Sequence, residues 1–169
     1  NDGIRLQLPD DAQRLPEPLI ILHCGRNAQL VDAQGNVDLV IGHHPHVIQK
    51  AELVTRSDGE MMPVYYSLGN FISGQSKGNN MLGGLFQFNI VKTYDENENH
   101  TISVEQPYFV PTITHYDYEY SNIRNYILAD YTAELAAKHG VKAYDSRFSY
   151  DYIENIVYDV IPEEFLLYK

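Results

Sequence analysis

Short apolar runs that end near a glycine dominate the first third of the chain. One run covers residues 19–22 and a second covers residues 39–41. Unbroken runs of branched apolar residues are typical of strands that are buried on both faces. Residues 27–34 between them could form two helical turns that end at Gly35. The pattern therefore predicts a strand–helix–strand unit, with a connection that is near the minimum length for a parallel crossover.

Longer strands follow in the middle of the chain. Segments 48–54 and 63–67 lie on either side of the turn residues 57–59, whose Ser-Asp-Gly sequence favours a tight reversal. Segments 85–94 and 101–110 are separated by a polar loop, and the second alternates as a half-buried strand does. Together these segments predict an α/β chain with a substantial antiparallel sheet.

The last third has a different periodicity. Ser121 is a favourable helix N-cap, and Gly140 is a typical stop signal. Between them apolar residues recur every four positions, at Ile123, Ile127, Tyr131 and Leu135. This spacing predicts one helix from Ser121 to His139. The end of that helix would explain His139. The region is also rich in tyrosine, which fits packing at a domain edge better than a platform for sugars or peptides.

Charge and composition exclude some partners. The chain has 23 acidic and 12 basic residues, a net charge of −11, and no cluster of Lys and Arg, so we expect no nucleic-acid partner. Cys24 is the only cysteine and cannot form an internal disulfide. Since the chain begins at Asn1 rather than Met, we expect a piece of a longer protein whose export signal or anchor would lie upstream.

The densest candidate chemistry lies directly after the second apolar run. Gly42 is followed by His43, His44, Pro45 and His46. Neutral imidazole is a good ligand for Zn, Fe or Mn, so clustered histidines at a strand end predict a metal site. Pro45 restricts the backbone before it, which lets His43 and His46 turn inward while His44 points elsewhere. The alternative is a polar loop whose histidines only bond water and backbone.

A further histidine follows the first apolar run. If the two runs are neighbouring strands of one sheet, His23 emerges at the same edge as His43 and His46. A two-metal hydrolase needs about twice the ligands of a single site, with carboxylates to balance charge. Asp38 is the only acidic residue near the histidines in sequence, and it lies at the far end of its strand. The visible ligands therefore correspond to half of a binuclear site.

Several of these motifs occur together, and in the same order, in a known family. Residues 38–47, followed by 63–72, resemble the C-terminal half of the bacterial capsule-synthesis family of the CapA type. That family is associated with poly-γ-glutamate and related to calcineurin-like metallophosphoesterases. The strand end 22–25 and the later segments 83–90 and 108–112 are also similar to it. The resemblance extends over about residues 19 to 115.

The resemblance implies a metallophosphoesterase-like four-layer α/β sandwich, two central mixed sheets flanked by helices, here incomplete. Residues 1–115 would be the C-terminal part of that domain, and residues 116–169 a mainly helical, tyrosine-rich extension packed on it. It implies that His23, His43 and His46 bind metal. Two divalent ions, Mn, Zn or Fe, are implied for the full-length protein.

The resemblance also implies roles for three further side chains. His44 would be the catalytic general acid. Ser67 and Asn70 would lie near the substrate, although the alternative role of shaping the Ser-Leu-Gly-Asn turn is equally compatible with the sequence.

Two functions are compatible with these expectations. The first is a metal-dependent, phosphoesterase-like hydrolase for capsule or poly-γ-glutamate biosynthesis in the bacterial cell envelope. The second is a non-catalytic module of the same fold that assists polymer assembly or anchoring. The family's N-terminal half, with its own Asp, Asn and His ligands, is absent from this chain. We therefore expect that N-terminal half as a partner and expect this piece to be inactive alone. We also expect contacts with the capsule-polymer synthesis machinery. The resemblance places the protein on the extracellular face, anchored by an upstream segment.

Overall fold

A computed structural model describes residues 20–23, as backbone, and residues 37–167. The first sheet has four strands in the order β1-β2-β4-β3. Strands β1, β2 and β4 run parallel, and β3 is antiparallel to β4. Their bounds are Ile20–His23 for β1, Leu39–Gly42 for β2, Ala51–Thr55 for β3 and Met61–Tyr65 for β4.

The predicted pairing of the two apolar runs is confirmed. Strand β1 lies parallel to β2, with Ile20 opposite Leu39 and His23 opposite Gly42. In β2, Leu39 and Val40 are fully buried, as expected for the branched apolar residues of a central strand. The helix predicted at residues 27–34 lies outside the described residues.

The second sheet is antiparallel, with the order β5-β6-β7. Strand β5 covers Leu82–Tyr94, β6 covers His100–Asp117, and β7 covers Ser121–Ile127. Strands β5 and β6 form the predicted hairpin, although β6 continues well beyond Val110. The outer end of this hairpin is largely exposed, while residues 109–116 of β6 are buried.

The predicted helix from Ser121 to His139 is wrong. Residues 121–127 form β7, which pairs with β6 so that Ile127 lies opposite Thr112 and Tyr126 opposite Ile113. A spacing of four residues places side chains on one face of a helix, but because four is even it does the same on a strand. Asn122, inside the predicted helix, also has a φ of 52°, which a right-handed helix does not allow.

Two short α-helices follow β7. Helix α1 covers Ala133–Lys138, and its N-cap Thr132 accepts a hydrogen bond from the backbone N–H of Leu135. Helix α2 covers Tyr150–Val160, and its N-cap Ser149 accepts in the same way from Tyr152. His139 is the C-cap of α1, so it lies at a helix end as predicted, although that helix begins at Ala133 and not after Ser121.

One continuous core joins the second sheet, α2 and the inner face of the first sheet. Its largest fully buried side chains include Tyr65, Phe109 and Phe148. The α/β class is therefore confirmed as two small sheets with few helices, and the four-layer sandwich and the boundary at residue 115 stay predictions. Within the described part of the chain, no helix has the length and apolarity needed to span a membrane.

Candidate functional site

The histidine loop and the Ser-Leu-Gly-Asn turn lie at the same edge of the first sheet. Residues 43–46 follow β2, and residues 66–70 follow β4, its parallel neighbour. The backbone N–H of Leu68 donates to the carbonyl oxygen of Gly42 at 3.0 Å, which joins the two segments directly. Carboxyl ends of parallel strands are frequent ligand sites because a rigid sheet holds their loops.

Gly42 permits this joint because it has no side chain. A Cβ at this position would lie 2.1 Å from the carbonyl oxygen of Tyr66. Any larger residue would therefore push apart the two segments that carry the predicted site residues. The glycine at the end of the apolar run, visible in the sequence, thus has a steric role.

His23 lies at the same edge by its backbone position. It is the register partner of Gly42, the residue that precedes His43. The three histidines were expected to converge if the two apolar runs formed neighbouring strands of one sheet. The structure shows that they do. The side chain of His23 lies outside the described residues, and its role as a ligand stays a prediction.

The three histidines of the loop have exposed side chains. His43, His44 and His46 are all exposed, and the ring centroids of His44 and His46 are 6.5 Å apart. His46 has a φ of 59°, a left-handed conformation that is uncommon for a residue other than glycine. The loop is thus held in a defined shape and not extended freely into solvent.

The Asn70 side chain determines that shape. Its Oδ1 lies 2.8 Å from Nδ1 of His46, and its Nδ2 donates to the carbonyl oxygen of His46 at 3.2 Å. Nδ2 of Asn80 donates to the same carbonyl oxygen at 2.8 Å. Asn80 lies in a single 3-10 turn, Gly78–Met81, and nothing in the sequence pattern singled it out.

Ser67 and Asn70 lie under the loop and are not on its surface. Ser67 is 1% exposed and Asn70 is 6% exposed. Oγ of Ser67 accepts a hydrogen bond from the backbone N–H of Gly69 at 3.2 Å, and Gly69 has a φ of 71°. Both side chains therefore shape the turn, and their contact with a substrate stays a prediction.

The histidines of this loop are suitable donors for a divalent cation, but the described residues do not contain a complete ligand set. No group of three or more His, Cys, Asp or Glu side chains in residues 37–167 is arranged to hold a metal ion. An exposed imidazole whose Nδ1 is already hydrogen-bonded can still offer Nε2 to a cation. The residues present thus fit one part of a metal centre.

An open groove of roughly 530 Å³ lies beside His44. Pro45, Ile48 and Tyr66 contribute to its lining, together with Val160 from α2. At its side Lys50 donates to Glu52 at 2.7 Å, and the hydroxyl of Tyr66 donates to the same carboxylate. The hydrogen bond from Lys50, together with that from Tyr66, lowers the pKa of Glu52 and keeps it ionised.

A second group of histidines lies in the interior, between β6 and the segment after α1. Nδ1 of His115 lies 2.7 Å from the hydroxyl of Tyr131, and Nε2 of His139 lies 2.8 Å from the carbonyl oxygen of Thr114. The ring centroids of the two histidines are 4.8 Å apart. His115 was not singled out in the sequence, since one histidine within a long strand carries no motif.

Comparison with known proteins confirms the resemblance over part of the chain. Residues 26–75 match the sequence model of the bacterial capsule synthesis protein family. The matched segment includes β2, the histidine loop, β4 and Asn70, and it supports a role in capsule synthesis. No curated protein and no solved structure matches the chain.

Proposed function

We propose that this chain is part of a metal-dependent, phosphoesterase-like hydrolase of the cell envelope, because its residues 26–75 match the model of the bacterial capsule synthesis protein family. Its substrate belongs to capsule or poly-γ-glutamate biosynthesis. The centre is completed by ligands outside the described residues, and the full-length protein holds two divalent cations, Mn, Zn or Fe. The proposed location is the extracellular face, with an anchor upstream.

One observation carries this proposal: the convergence of three backbone segments at one sheet edge. The parallel register aligns His23 with Gly42, so the end of β1 lies beside the start of the histidine loop. The turn after β4 joins the same edge through Leu68. A hydrolytic metal centre needs donors from several strand ends held rigidly, and the meeting of three such segments at one edge supports the proposal.

The histidines have two different roles in the proposal. His43 and His46, with His23, supply imidazole nitrogens as ligands. Divalent cations, when bound, would polarise a phosphate-like oxygen and activate water. His44, on the groove side of the loop, donates a proton from its imidazolium to the leaving-group oxygen. The groove beside it would hold the organic part of the substrate.

A non-catalytic module is the second candidate, and one observation favours it. The described residues hold no set of three possible ligands, and the histidines of the loop are exposed. A module of this kind would keep the fold and assist polymer assembly or anchoring together with the capsule-polymer machinery. Metal content separates the two candidates.

The test is elemental analysis of the full-length protein, purified without chelator and supplied with Mn or Zn. We expect about two metal ions per chain, and we expect His43→Ala to lose stoichiometric binding while keeping its circular dichroism spectrum. His100→Ala is the matched control, because His100 lies at the far end of the β5–β6 hairpin, opposite Tyr94.

Either of two results would contradict the hydrolase. One is absence of metal from the full-length protein after Mn or Zn has been supplied. The other is normal metal content in His43→Ala, which would remove the ligand assignment. The first result would leave the assembly module as the function.

A further inference from the structure

We propose that Asn70 and Asn80 are positioning residues that hold His46 as the Nδ1–H tautomer and direct its Nε2 lone pair toward a divalent cation. The tautomer follows from the hydrogen bonds of this chain alone. The role of the cation rests on the proposed function. The two parts can therefore fail separately.

The orientation of the Asn70 amide is decided by its surroundings. One end of the amide lies 3.2 Å from the carbonyl oxygen of His46 and 3.2 Å from that of Asn80. Carbonyl oxygens only accept hydrogen bonds, so this end must be the NH₂ group. The other end, Oδ1, is consequently the one that faces His46.

This orientation fixes the proton on the imidazole. Oδ1 of Asn70 can only accept, and it lies 2.8 Å from Nδ1 of His46. Nδ1 must therefore be the donor and carry the hydrogen. In a neutral ring the proton then cannot be on Nε2, which retains a lone pair for a metal ion.

The same two amides also hold the backbone of His46. A left-handed conformation is unfavourable for a residue other than glycine. At His46 the carbonyl oxygen accepts from Nδ2 of both Asn70 and Asn80, at 3.2 and 2.8 Å, which offsets that cost. Ring and backbone are thus positioned together.

Burial makes this arrangement rigid. Asn70 and Asn80 are 6% and 7% exposed, and a buried amide that lost its partners would leave polar atoms unsatisfied. Asn80 lies beyond the family match at residues 26–75. The support of His46 therefore includes a residue from the turn that leads into the second sheet.

The proposal predicts a measurable effect on affinity. Removing a hydrogen-bond partner of a metal-ligating histidine usually weakens metal affinity 10- to 100-fold. We expect Asn70→Ala to weaken Zn²⁺ or Mn²⁺ binding by about that factor, and Asn80→Ala to weaken it less, because the bond to Nδ1 remains. Ser73→Ala is the matched control, since Ser73 contacts the Asn70 amide at 3.4 Å on the side away from the imidazole bond.

The direct test is long-range ¹H–¹⁵N NMR of the full-length protein with labelled histidine, without metal, at mildly alkaline pH, where imidazole is neutral. We expect His46 as the Nδ1–H tautomer in the wild type and in Ser73→Ala, and a mixture of tautomers in Asn70→Ala. A wild-type His46 protonated on Nε2 would overturn the proposal even if Asn70→Ala failed to fold.

The metal titration separates the two parts. The expected tautomer with weaker Zn²⁺ or Mn²⁺ binding in Asn70→Ala supports both. Unchanged affinity in a folded Asn70→Ala would overturn the positioning role while leaving the hydrolase intact. No metal binding in any form, together with the expected tautomer, would overturn the proposed function and leave only the orientation of His46 by Asn70.

Discussion

Two groups of histidines in this protein have opposite environments. His43, His44 and His46 are exposed on a loop at the edge of the parallel sheet. His115 and His139 are 4% and 2% exposed in the second half of the chain. The comparison shows that the number of histidines in a region does not indicate whether they can bind a ligand. The hydrogen-bond partners of each ring nitrogen do indicate it.

In the interior, both nitrogens of His139 are engaged with backbone. Nδ1 accepts from the N–H of Val141 at 3.0 Å, so Nε2 is the protonated nitrogen and donates to the carbonyl oxygen of Thr114. Burial lowers the pKa of His139 to about 4, and the ring is neutral. A ring bonded in this way has no lone pair left for a ligand, and its role is structural. On the loop, by contrast, Nε2 of His46 is the nitrogen that a cation could reach.

The largest loss of stability is expected when a buried histidine is replaced. His139→Ala would leave the carbonyl oxygen of Thr114 and the N–H of Val141 without their partner and would open a cavity beside Phe148. We expect a loss of about 3 kcal/mol in the free energy of unfolding, with metal content unchanged. Denaturant unfolding measures it, and a loss below about 1 kcal/mol would mean that the ring is not structurally required.

The dependence of stability on pH is the second test of the buried histidines. An unfolded chain protonates His139 near its ordinary pKa of about 6.5, but the folded chain does so only near 4. The unfolded state therefore binds more protons as the pH falls, and stability is lost between pH 6.5 and 4, by up to about 3 kcal/mol. The pKa of His115 is also lowered by burial, which adds in the same direction.

The matched control for the acid experiment is His139→Gln, which cannot titrate. Its free energy of unfolding should change less than that of the wild type between pH 6.5 and 4. The carboxyl of Asp145 loses its contribution in a different window, because the hydrogen bond from Arg147 lowers its pKa to about 2. If the free energy of unfolding changed equally with pH in the two proteins above pH 4, the role assigned to His139 would be contradicted.

The smallest effect on stability is expected on the loop. Exposed side chains away from caps and buried networks usually change stability by less than about 0.5 kcal/mol when replaced. We expect His44→Ala to stay within that limit, and to lower turnover of a phosphodiester substrate while leaving metal content normal, if His44 is the general acid. A loss of 2 kcal/mol or more would place His44 in the structural group instead.

The strands were predictable because their signals are local. Branched apolar runs located β1 and β2, and turn chemistry located the β3–β4 hairpin. The stretch from Ser121 failed because Ile123 and Ile127 share a face in both helix and strand, so periodicity could not decide between them. Pairing with β6 decided it, and that contact is not visible in a single segment.

The sequence predicted which residue types occur at the candidate site, but not which side chains hold them in place. The position of His43 and His46 after a strand was expected, and the structure confirms that position. The support of His46 was not foreseen, since Asn80 is 34 residues further along the chain and belongs to no recognisable motif. Local sequence indicates where donors lie, while the bonds that orient them depend on tertiary packing.

The distant partners of His46 also determine when the loop acquires its shape. Asn70 and Asn80 are 24 and 34 residues away in sequence, and contacts of that separation form only after the intervening chain has been closed into a loop. The parallel pairing of β2 with β4 closes a loop of the same 24 residues, with Val40 opposite Val64, so the bond from Asn70 can form as these strands pair, whereas the bond from Asn80 requires a longer closure. The full support of His46 would thus be in place only once the turn that leads into the second sheet has docked.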